Sequence, residues 1–360
     1  HFLAFIMSKN TSPLVPLIGF GTARLKGEEC EDAVTAAILA GCRHFDCAHF
    51  YGNEVYVGNA IRSAIESGKV KREDLFITSK CWNDDHRPED VVAACLQTLK
   101  DLGFKYLDLY LVHWPVAWAK GTLACPDFSV SILDTWKAME SLVDSKLVHY
   151  IGVSNFGPKL LTKMFHSCRI KPVCNQLEIH PKLAQPGLVS FCQQNQIQCV
   201  AWSPLAKFSS GIVQSKIIRN IAKKHSWTAT QVILRWHIQR GVAVIPRSTN
   251  PSHIADNVKV ASLSPLTDKE MDEIMTLNEN KRIFPDIVGI FEDTPVFPFH
   301  ILGYTGKGIL FLFWFFVPHV FDFANPQHSL LEIFDRKRPI RWIDHLRITF
   351  LLVLTIKTIM

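Results

Sequence analysis

The sequence predicts an α/β fold, a (β/α)8 TIM barrel with an N-terminal β-hairpin cap. The first observation behind this prediction is an alternation, between about Thr22 and Ser262, of short β-branched or aromatic runs with longer amphipathic stretches. Such alternation is typical of repeated βα units that build a parallel sheet. The second observation is the number of runs, eight, which suits a closed barrel better than an open sheet. The third is that polar or titratable residues follow most of these runs at their carboxyl ends.

The predicted strands are short apolar runs with stretches of helical periodicity between them. In chain order they are His44 to Asp46, Leu75 to Ser79, Leu107 to Val112, Tyr150 to Val153, Val173 to Gln176, Cys199 to Ala201, Val242 to Ile245 and Val258 to Val260. Ahead of the first of them, the segment Ser8 to Gly21, which contains LVPLIGFG, predicts a hairpin that caps the bottom of the barrel.

The predicted helices occupy the stretches that follow the strands, because apolar residues recur there with helical spacing. They are Glu54 to Glu66, Pro88 to Leu102, Ile132 to Ser145, Pro158 to His166, Gly187 to Gln194, Ile217 to His225 with Thr228 to Gln239, and Ser252 to Asp256. Pro88 and Pro158 suit a first helical turn, where the missing N–H of proline costs nothing.

The composition changes near residue 300, which indicates a boundary in the chain. We expect an N-terminal extension over residues 1–12, the barrel over 13–300, and a hydrophobic and basic tail over 301–360 that lies outside the fold. The apolar stretches of that tail, Gly308 to Phe323 and Leu346 to Met360, are each shorter than the ~20 residues of a spanning helix. An anchor at a membrane surface is the alternative to an appended tail.

Charge and cysteine content exclude several functional classes. The formal net charge of +6 is small for 360 residues, and no stripe of Lys and Arg with interleaved aromatic residues precedes Arg336 to Arg341. A nucleic acid is therefore not an expected partner. The ten cysteines have irregular spacings, with no CxxC pair and no zinc-type Cys/His cluster. We expect free thiols, no metal site and a cytoplasmic location.

The residues at the strand ends predict where a functional site lies. A barrel strand is buried on both faces, so a polar residue at its carboxyl end is costly unless it faces the mouth formed by the βα loops. The residues in this position are Asp46, Lys80, His113, Ser154, Asn155, Gln176, Glu178, Ser203, Arg247 and Ser248. We expect their side chains to converge on one rim.

Three of these rim residues, together with Tyr51 on the loop after the first predicted strand, form a set suited to proton transfer. The phenol of Tyr51 is a poor acid at neutral pH until a neighbouring cation stabilises its anion, and Lys80 can supply that cation. Asp46 would hold the ammonium group, and His113 could donate a hydrogen bond to a carbonyl oxygen. Any one such residue on a loop is usually structural, but four together favour a catalytic interpretation.

The motifs around these residues resemble those of the aldo-keto reductase family, of the aldose and aldehyde reductase type. The matching segments, in order, are GCRHFDCAHFYGNEVYVG at 41–58, LDLYLVHWP at 107–115, YIGVSNF at 150–156, NQLEIHP at 175–181, WSPL at 202–205 and VIPRST at 244–249. Cys42 departs from the first signature, which usually has an aromatic residue there. The resemblance covers roughly Pro13 to His300, and the final sixty residues have no counterpart in it.

The resemblance implies reduction of aldehydes or ketones to alcohols with a nicotinamide dinucleotide. It assigns catalysis to Asp46, Tyr51, Lys80 and His113, with Tyr51 as the general acid. It assigns the substrate pocket to Phe50, Trp82, His113 and Trp114. At the nicotinamide end of the cofactor, it places Ser154, Asn155 and Gln176 at the carboxamide and Trp202 on the ring. It places Ser203 and Leu205 at the pyrophosphate. At the other end, it places Arg247, Ser248, Thr249 and Asn250 at the adenosine phosphate, and His253, Asp256 and Asn257 near the adenine.

The adenine end bears on which cofactor is used. His253 stands where the family has an Arg, so that one permanent positive charge is lost, while Arg247 keeps the charge of the commoner Lys. NADPH is the expected cofactor, and use of NADH remains possible. The family binds its dinucleotide without a Rossmann domain, which accounts for the lack of a GxGxxG motif.

Three alternatives stay open from sequence alone. The barrel could be a catalytically silent structural or regulatory subunit, an NADH-preferring sugar reductase, or a reductase that its tail attaches to a membrane. The intact catalytic set argues against the first. We expect a monomer whose partner is a small-molecule carbonyl substrate.

Overall fold

The computed structural model describes residues 14–122, 125–208 and 211–284. In this part of the chain the strands are β1 Phe20–Gly21, β2 His44–Asp46, β3 Phe76–Cys81, β4 Leu107–Val112, β5 Val148–Ser154, β6 Cys174–Glu178, β7 Gln198–Trp202 and β8 Ala243–Val244. The helices are α1 Gly27–Leu39, α2 Glu54–Glu66, α3 Pro88–Leu102, α4 Ile132–Asp144, α5 Pro158–Phe165, α6 Pro186–Gln194, α7 Lys216–His225, α8 Ala229–Gln239, α9 Pro251–Lys259 and α10 Asp268–Met275.

The strands form a closed parallel barrel. Each strand pairs in parallel with the next one along the chain, from β1 through β8. A parallel bridge between Ile18 and Val244 joins the two ends of the sheet. Backbone hydrogen bonds from Gly19 N to Val244 O (2.8 Å) and from Val244 N to Leu17 O (2.9 Å) complete this seam. The predicted (β/α)8 barrel is therefore confirmed.

The position of the first strand differs from the prediction. Within the described residues 14–21, the chain forms strand β1 and the seam rather than a hairpin, so this part of the predicted N-terminal cap is wrong. Residues 8–13 of that prediction lie outside the described residues. The first strand was missed because Gly19 and Gly21 flank Phe20, and glycines suggest a turn. The structure needs Gly21, since a Cβ there would lie 2.7 Å from Ile245 O.

The last predicted strand, Val258 to Val260, is also wrong. These residues belong to the end of α9 and to the short 3-10 turn Val260–Ser262. The alternating pattern Val-Lys-Val was too short to separate a strand from a helix end. Helices α1 and α10 were not predicted, although Thr267 and Glu270 form a capping box at the start of α10 that the sequence displays.

The stretch before β1 closes the bottom of the barrel. Val15 is fully buried and packs with Leu109, Leu111 and Val200 inside the strands. The side-chain amide of Gln198, at the start of β7, accepts a hydrogen bond from Val15 N (2.9 Å) and donates one to Val15 O (2.7 Å). The opposite end, where the carboxyl ends of the strands lie, is therefore the end that can admit a ligand.

Three further predictions concern the two ends of the chain, a membrane-spanning helix and the cysteines. The tail over residues 301–360 lies outside the described residues, as does the extension over 1–12. Among the described helices, none combines the length and the apolar character required to cross a bilayer. All ten cysteines are described, and each is a free thiol.

Candidate active site

A buried ammonium group lies at the centre of the rim. Lys80 Nζ donates hydrogen bonds to Asp46 Oδ1 (2.6 Å), Cys47 O (2.8 Å) and Tyr51 OH (3.3 Å). A lysine ammonium has three N–H donors, so this set uses all of them. Because the Tyr51 oxygen accepts from Lys80, its own O–H remains available to donate a proton elsewhere.

Electrostatics keep Lys80 charged in this buried position. Burial alone would lower the pKa of Lys80, but the charge of Asp46 and the contacts with Asp46 and Tyr51 outweigh it and raise that pKa. Lys80 is 0% exposed and Asp46 is 1% exposed. Such a pair persists in a dry interior only when its remaining polar atoms are also satisfied. The second oxygen of Asp46 is satisfied by Gln176, whose Nε2 donates to Oδ2 at 2.6 Å.

The pKa of Tyr51 departs from the simple sequence expectation. Desolvation raises the pKa of this phenol, the charge of Lys80 lowers it, and the net shift is upward. Lys80 therefore acts in the expected direction without overcoming desolvation. At neutral pH the phenol keeps its proton, which is the form that a proton donor requires.

His113 is a neutral imidazole facing Tyr51. Burial and the nearby charge of Lys80 hold the pKa of His113 well below its usual value. Its ring centroid lies 6.0 Å from that of Tyr51, with the two rings nearly perpendicular at 81°. A neutral imidazole still carries one N–H, so His113 can donate a hydrogen bond to a carbonyl oxygen without acting as a cation.

A row of amides continues from His113 across the next two strands. Asn155 Nδ2 donates to His113 O and to Ser154 Oγ, both at 3.0 Å, and Ser154 Oγ donates to Gln176 O at 2.9 Å. Asn155 has a φ of 65°, a left-handed conformation that asparagine tolerates. Trp202 Nε1 donates to Asn155 Oδ1 at 3.0 Å, which ties the indole to the same row.

Aromatic side chains line one side of the mouth. Phe50 stacks on Trp82 with ring centroids 3.7 Å apart and an interplanar angle of 13°. Trp82 in turn meets His113 edge-on at 4.8 Å and Trp118 edge-on at 5.3 Å. Trp114 lies farther away, with its ring centroid 6.5 Å from that of His113. Trp118 was not predicted, because its loop has no periodic pattern that would mark it.

The residues expected at the adenosine phosphate lie on the loop after β8 and at the start of α9. Arg247, Thr249, Asn250 and His253 are exposed there, and Ser248 is half-buried. The side chain of Asn250 caps α9, with Oδ1 accepting from Ser252 N (2.9 Å) and His253 N (3.3 Å). This cap uses the amide oxygen of Asn250, and the amide nitrogen is the group that could donate to a phosphate.

The other predicted cofactor residues lie along the same edge. Asp256 is half-buried on α9, and Asn257 beside it is buried. After β7, Leu205 is buried, while Ser203 has a left-handed φ of 49° that turns the chain away from the barrel. The structure therefore brings all the predicted positions to one end of the barrel.

Two further cations at this end were missed by sequence reasoning. Arg24 follows β1, and desolvation and the charge of Arg247 lower its pKa. Lys207 follows β7, and burial and the charge of Arg24 lower its pKa to about 8. Arg24 thus lies close enough to Arg247 and to Lys207 for like-charge repulsion, which the charge of Glu178 offsets in part at Lys207. The excess of positive charge favours an anionic ligand. The available signal was a charged residue shortly after a strand, but β1 is too short to be predicted and Lys207 lies five residues beyond the end of β7.

This arrangement fits a dinucleotide. The oxygens of Ser154 and Asn155 each keep a lone pair that can accept a hydrogen bond from the NH2 of a carboxamide, the half-buried indole of Trp202 offers an apolar surface, and the cations offer a site for phosphates. The amino end of α9 contributes the positive end of its helix dipole, because the N–H groups of its first turn, at Ser252 and His253, are already bonded to Asn250 Oδ1.

Comparisons with known proteins agree with this geometry. The model of the Aldo/keto reductase family matches residues 17–279. The chain is 43% identical over 279 residues to the 9,11-endoperoxide prostaglandin H2 reductase of Trypanosoma cruzi, covering 77% of this chain and 93% of the relative. It is 40% identical over 309 residues to a probable NAD(P)H-dependent D-xylose reductase of Aspergillus terreus, covering 79% and 96%.

A solved structure has the same fold. The Bombyx mori aldo-keto reductase in complex with NADP superposes with a TM-score of 0.71 at 36% sequence identity, covering 75% of this chain and 92% of the other. The family match over residues 17–279 contains every predicted site residue.

Proposed function

This chain belongs to the aldo/keto reductase family, and from that premise we propose that Asp46, Tyr51, Lys80 and His113 are its catalytic residues. The chain is an NAD(P)H-dependent oxidoreductase that reduces the carbonyl group of small aldehydes or ketones to an alcohol. The contact between Lys80 Nζ and Tyr51 OH is the observation that carries the residue assignment.

Each of the four groups has a distinct task in this proposal. Tyr51 gives its proton to the carbonyl oxygen as negative charge develops there, and Lys80 stabilises the phenolate that is left. Asp46 keeps Lys80 in place and charged through the 2.6 Å hydrogen bond. His113 orients the carbonyl oxygen by donating one hydrogen bond from its neutral ring.

The cofactor site of the proposal follows the rim. The reduced dinucleotide supplies the hydride when bound. Ser154, Asn155 and Trp202 would hold its nicotinamide end, and Arg247 and Ser248 its adenosine phosphate. Arg24 and Lys207 join the predicted residues as candidates for the phosphates, supported by the lowering of the Arg24 pKa by burial and Arg247 and of the Lys207 pKa by burial and Arg24. Gln176 supports this end indirectly, through its hydrogen bond to Asp46.

The substrate pocket of the proposal is aromatic. Phe50 and Trp82 form one wall, with His113 beside them and Trp114 at the margin. Such a wall favours a flat or apolar group next to the carbonyl. The direct test follows the loss of reduced-nicotinamide absorbance with NADPH and NADH in parallel, against a panel of aromatic aldehydes, aldoses and quinones. If the protein reduced none of these compounds with either cofactor, the assignment would be contradicted.

A second candidate, preference for NADH, rests on His253. This residue is exposed at the third position of α9 and carries no permanent charge. We expect His253→Arg to increase the affinity for NADPH more than the affinity for NADH, by about tenfold for one added charge-assisted contact. Fluorescence titration of both cofactors measures this. Equal changes for the two would contradict placement of the adenosine phosphate beside α9.

The assembly and location are also part of the proposal. The four catalytic groups all come from one chain, so a monomer is sufficient for activity. Ten free thiols favour a reducing compartment such as the cytoplasm. A sedimentation measurement at micromolar concentration tests the first point, and fractionation of cells tests the second.

A further inference from the structure

A buried carboxylate fastens the C-terminal stretch of the described barrel to the rim. Glu178 ends β6 and is 1% exposed. Its Oε1 accepts hydrogen bonds from Ile283 N (2.7 Å) and Phe284 N (3.3 Å). Hydrogen bonds to an ionised acceptor are stronger than those between neutral groups, and a dry setting strengthens them further. The carboxylate therefore fixes the backbone of a segment that is remote from it in the sequence.

The anchored segment presents one aromatic ring to the cofactor side of the mouth. The ring of Phe284 meets the indole of Trp202 edge-on, with centroids 4.8 Å apart at 82°. Lys207 Nζ lies over the same ring, 3.4 Å from its centroid. An aromatic ring attracts a cation over its face, so Phe284 joins Trp202 to Lys207.

The contacts of Phe284 continue toward the catalytic residues. Trp202 Nε1 donates to Asn155 Oδ1, and Asn155 Nδ2 donates to His113 O, each at 3.0 Å. The indole is thus held by a hydrogen bond at its nitrogen and by Phe284 against its ring. Its plane depends on both restraints.

We propose that Glu178 is a positioning residue that holds Phe284 against Trp202 and Lys207, forming a clasp that limits the rate at which the dinucleotide leaves. This inference rests on the proposed function, because it assigns Trp202 and Lys207 to the cofactor. Glu178 itself acts through Phe284. Its Oε1 accepts from the two backbone N–H groups of the anchored segment and lies 3.3 Å from His180 Nε2, while Oε2 lies 4.0 Å from Arg282 Nη1 of the same segment.

Two variants separate the anchor from the ring that it positions. Glu178→Gln keeps the shape of the side chain and removes its charge, so the anchor weakens. Phe284→Ala keeps the anchor and removes the ring. If the clasp restrains the dinucleotide, each variant should raise its dissociation rate by about tenfold, the factor that corresponds to one charge-assisted or cation–π contact. Phe284→Tyr retains the ring, so this variant should release the dinucleotide at the original rate.

A matched control lies on the same stretch of chain. Glu279 pairs with Lys182 at 3.0 Å and is half exposed. Within the described part of the chain, its side chain pairs with Lys182 and not with Trp202 or Lys207. Glu279→Gln therefore removes a carboxylate from the C-terminal stretch without touching the clasp, and its dissociation rate should match that of the unmodified protein.

The experiment measures release of NADPH from the full chain by stopped-flow, following nicotinamide fluorescence after mixing with excess NADP⁺. Thermal midpoints without the dinucleotide are recorded for every variant, since a purely structural role would lower them without a selective effect on release. The proposal expects faster release in Glu178→Gln and Phe284→Ala, with Phe284→Tyr and Glu279→Gln unchanged.

Three results would contradict the inference or the function on which it rests. A Phe284→Ala protein that releases NADPH within twofold of the original rate would overturn the clasp, whether or not Glu178→Gln folds. An unmodified protein that binds no dinucleotide would overturn the proposed function together with this inference. If the unmodified protein binds NADPH and reduces a carbonyl, and Phe284→Ala releases NADPH at the same rate, the inference alone is overturned.

Discussion

At the scale of single residues, the site depends on one lysine whose three donors are all used. Lys80 holds Asp46, the carbonyl of Cys47 and the phenol of Tyr51 at once. The sequence indicated this set because each residue follows or ends a strand. It could not indicate that desolvation outweighs Lys80 in setting the pKa of Tyr51, since that balance depends on surroundings from several strands.

The same balance predicts the pH dependence of carbonyl reduction. The pKa of Tyr51 is raised from 10.0, so the phenol stays protonated through neutral pH and loses its proton only above that value. The pKa of His113 is lowered well below 6.5, so its ring stays neutral as pH falls through 6.5. At saturating substrate and cofactor, kcat should be flat between about pH 6.5 and 9 and decline at higher pH. An inflection near pH 6.5 would show that His113 titrates in the working range.

Candidate site residues that lie on loops were harder to predict from the sequence. Arg24, Lys207 and Trp118 lie in turns and loops without a repeating pattern, so periodicity could not select them. Glu178 was visible as a strand-end carboxylate, but its partners Ile283 and Phe284 are over a hundred residues away in the chain. Such contacts become apparent only once the barrel has closed.

At the scale of elements, α2 and α3 were predictable and the two-residue strand β1 was not. The predicted bounds of α2 and α3 coincide with the observed ones, because each has a full amphipathic pattern and α3 begins with Pro88. Strand β1 has two residues in the ladder and glycines around it, so no period could form. The barrel was still predictable because its remaining strands alternate regularly with helices.

The seam between β1 and β8 makes a stability prediction. A Cβ on Gly21 would lie 2.7 Å from Ile245 O, a backbone atom that can move only with the seam. Gly21→Ala should therefore lower the free energy of unfolding by about 1–3 kcal/mol, the usual cost of overpacking. Urea unfolding of the full chain measures this.

Gly187 provides the control for that measurement. It lies in the first turn of α6, and a Cβ there would meet nothing within 4 Å. Gly187→Ala should leave the urea midpoint unchanged or slightly higher, because alanine favours a helix. Equal losses in the two variants would contradict the role of Gly21 at the seam.

At the scale of the whole molecule, the barrel and the tail are separate proposals. The family match ends at residue 279, well before the change in composition near residue 300. We propose that residues 13–300 form the active unit and that residues 301–360 are not required for it. A chain that ends at residue 300 should keep the thermal midpoint and kcat of the full chain.

The tail is tested by partition between soluble and membrane fractions. If the tail is only appended, the full and shortened chains should divide between the fractions in the same way. A full chain found in the membrane fraction, with the shortened one released, would instead support the membrane-surface anchor. Loss of kcat on shortening would contradict the proposed limit of the active unit.

The central claim is that Tyr51 supplies the proton for carbonyl reduction, and Tyr51→Phe tests it most directly. This variant removes one oxygen next to Lys80 and leaves the amide row and Trp202 unaltered. We predict that kcat falls by at least about a hundredfold, the usual minimum contribution of a general acid, while the Kd for NADPH stays within about twofold. A variant that keeps most of its kcat would contradict the assignment of Tyr51 as the acid.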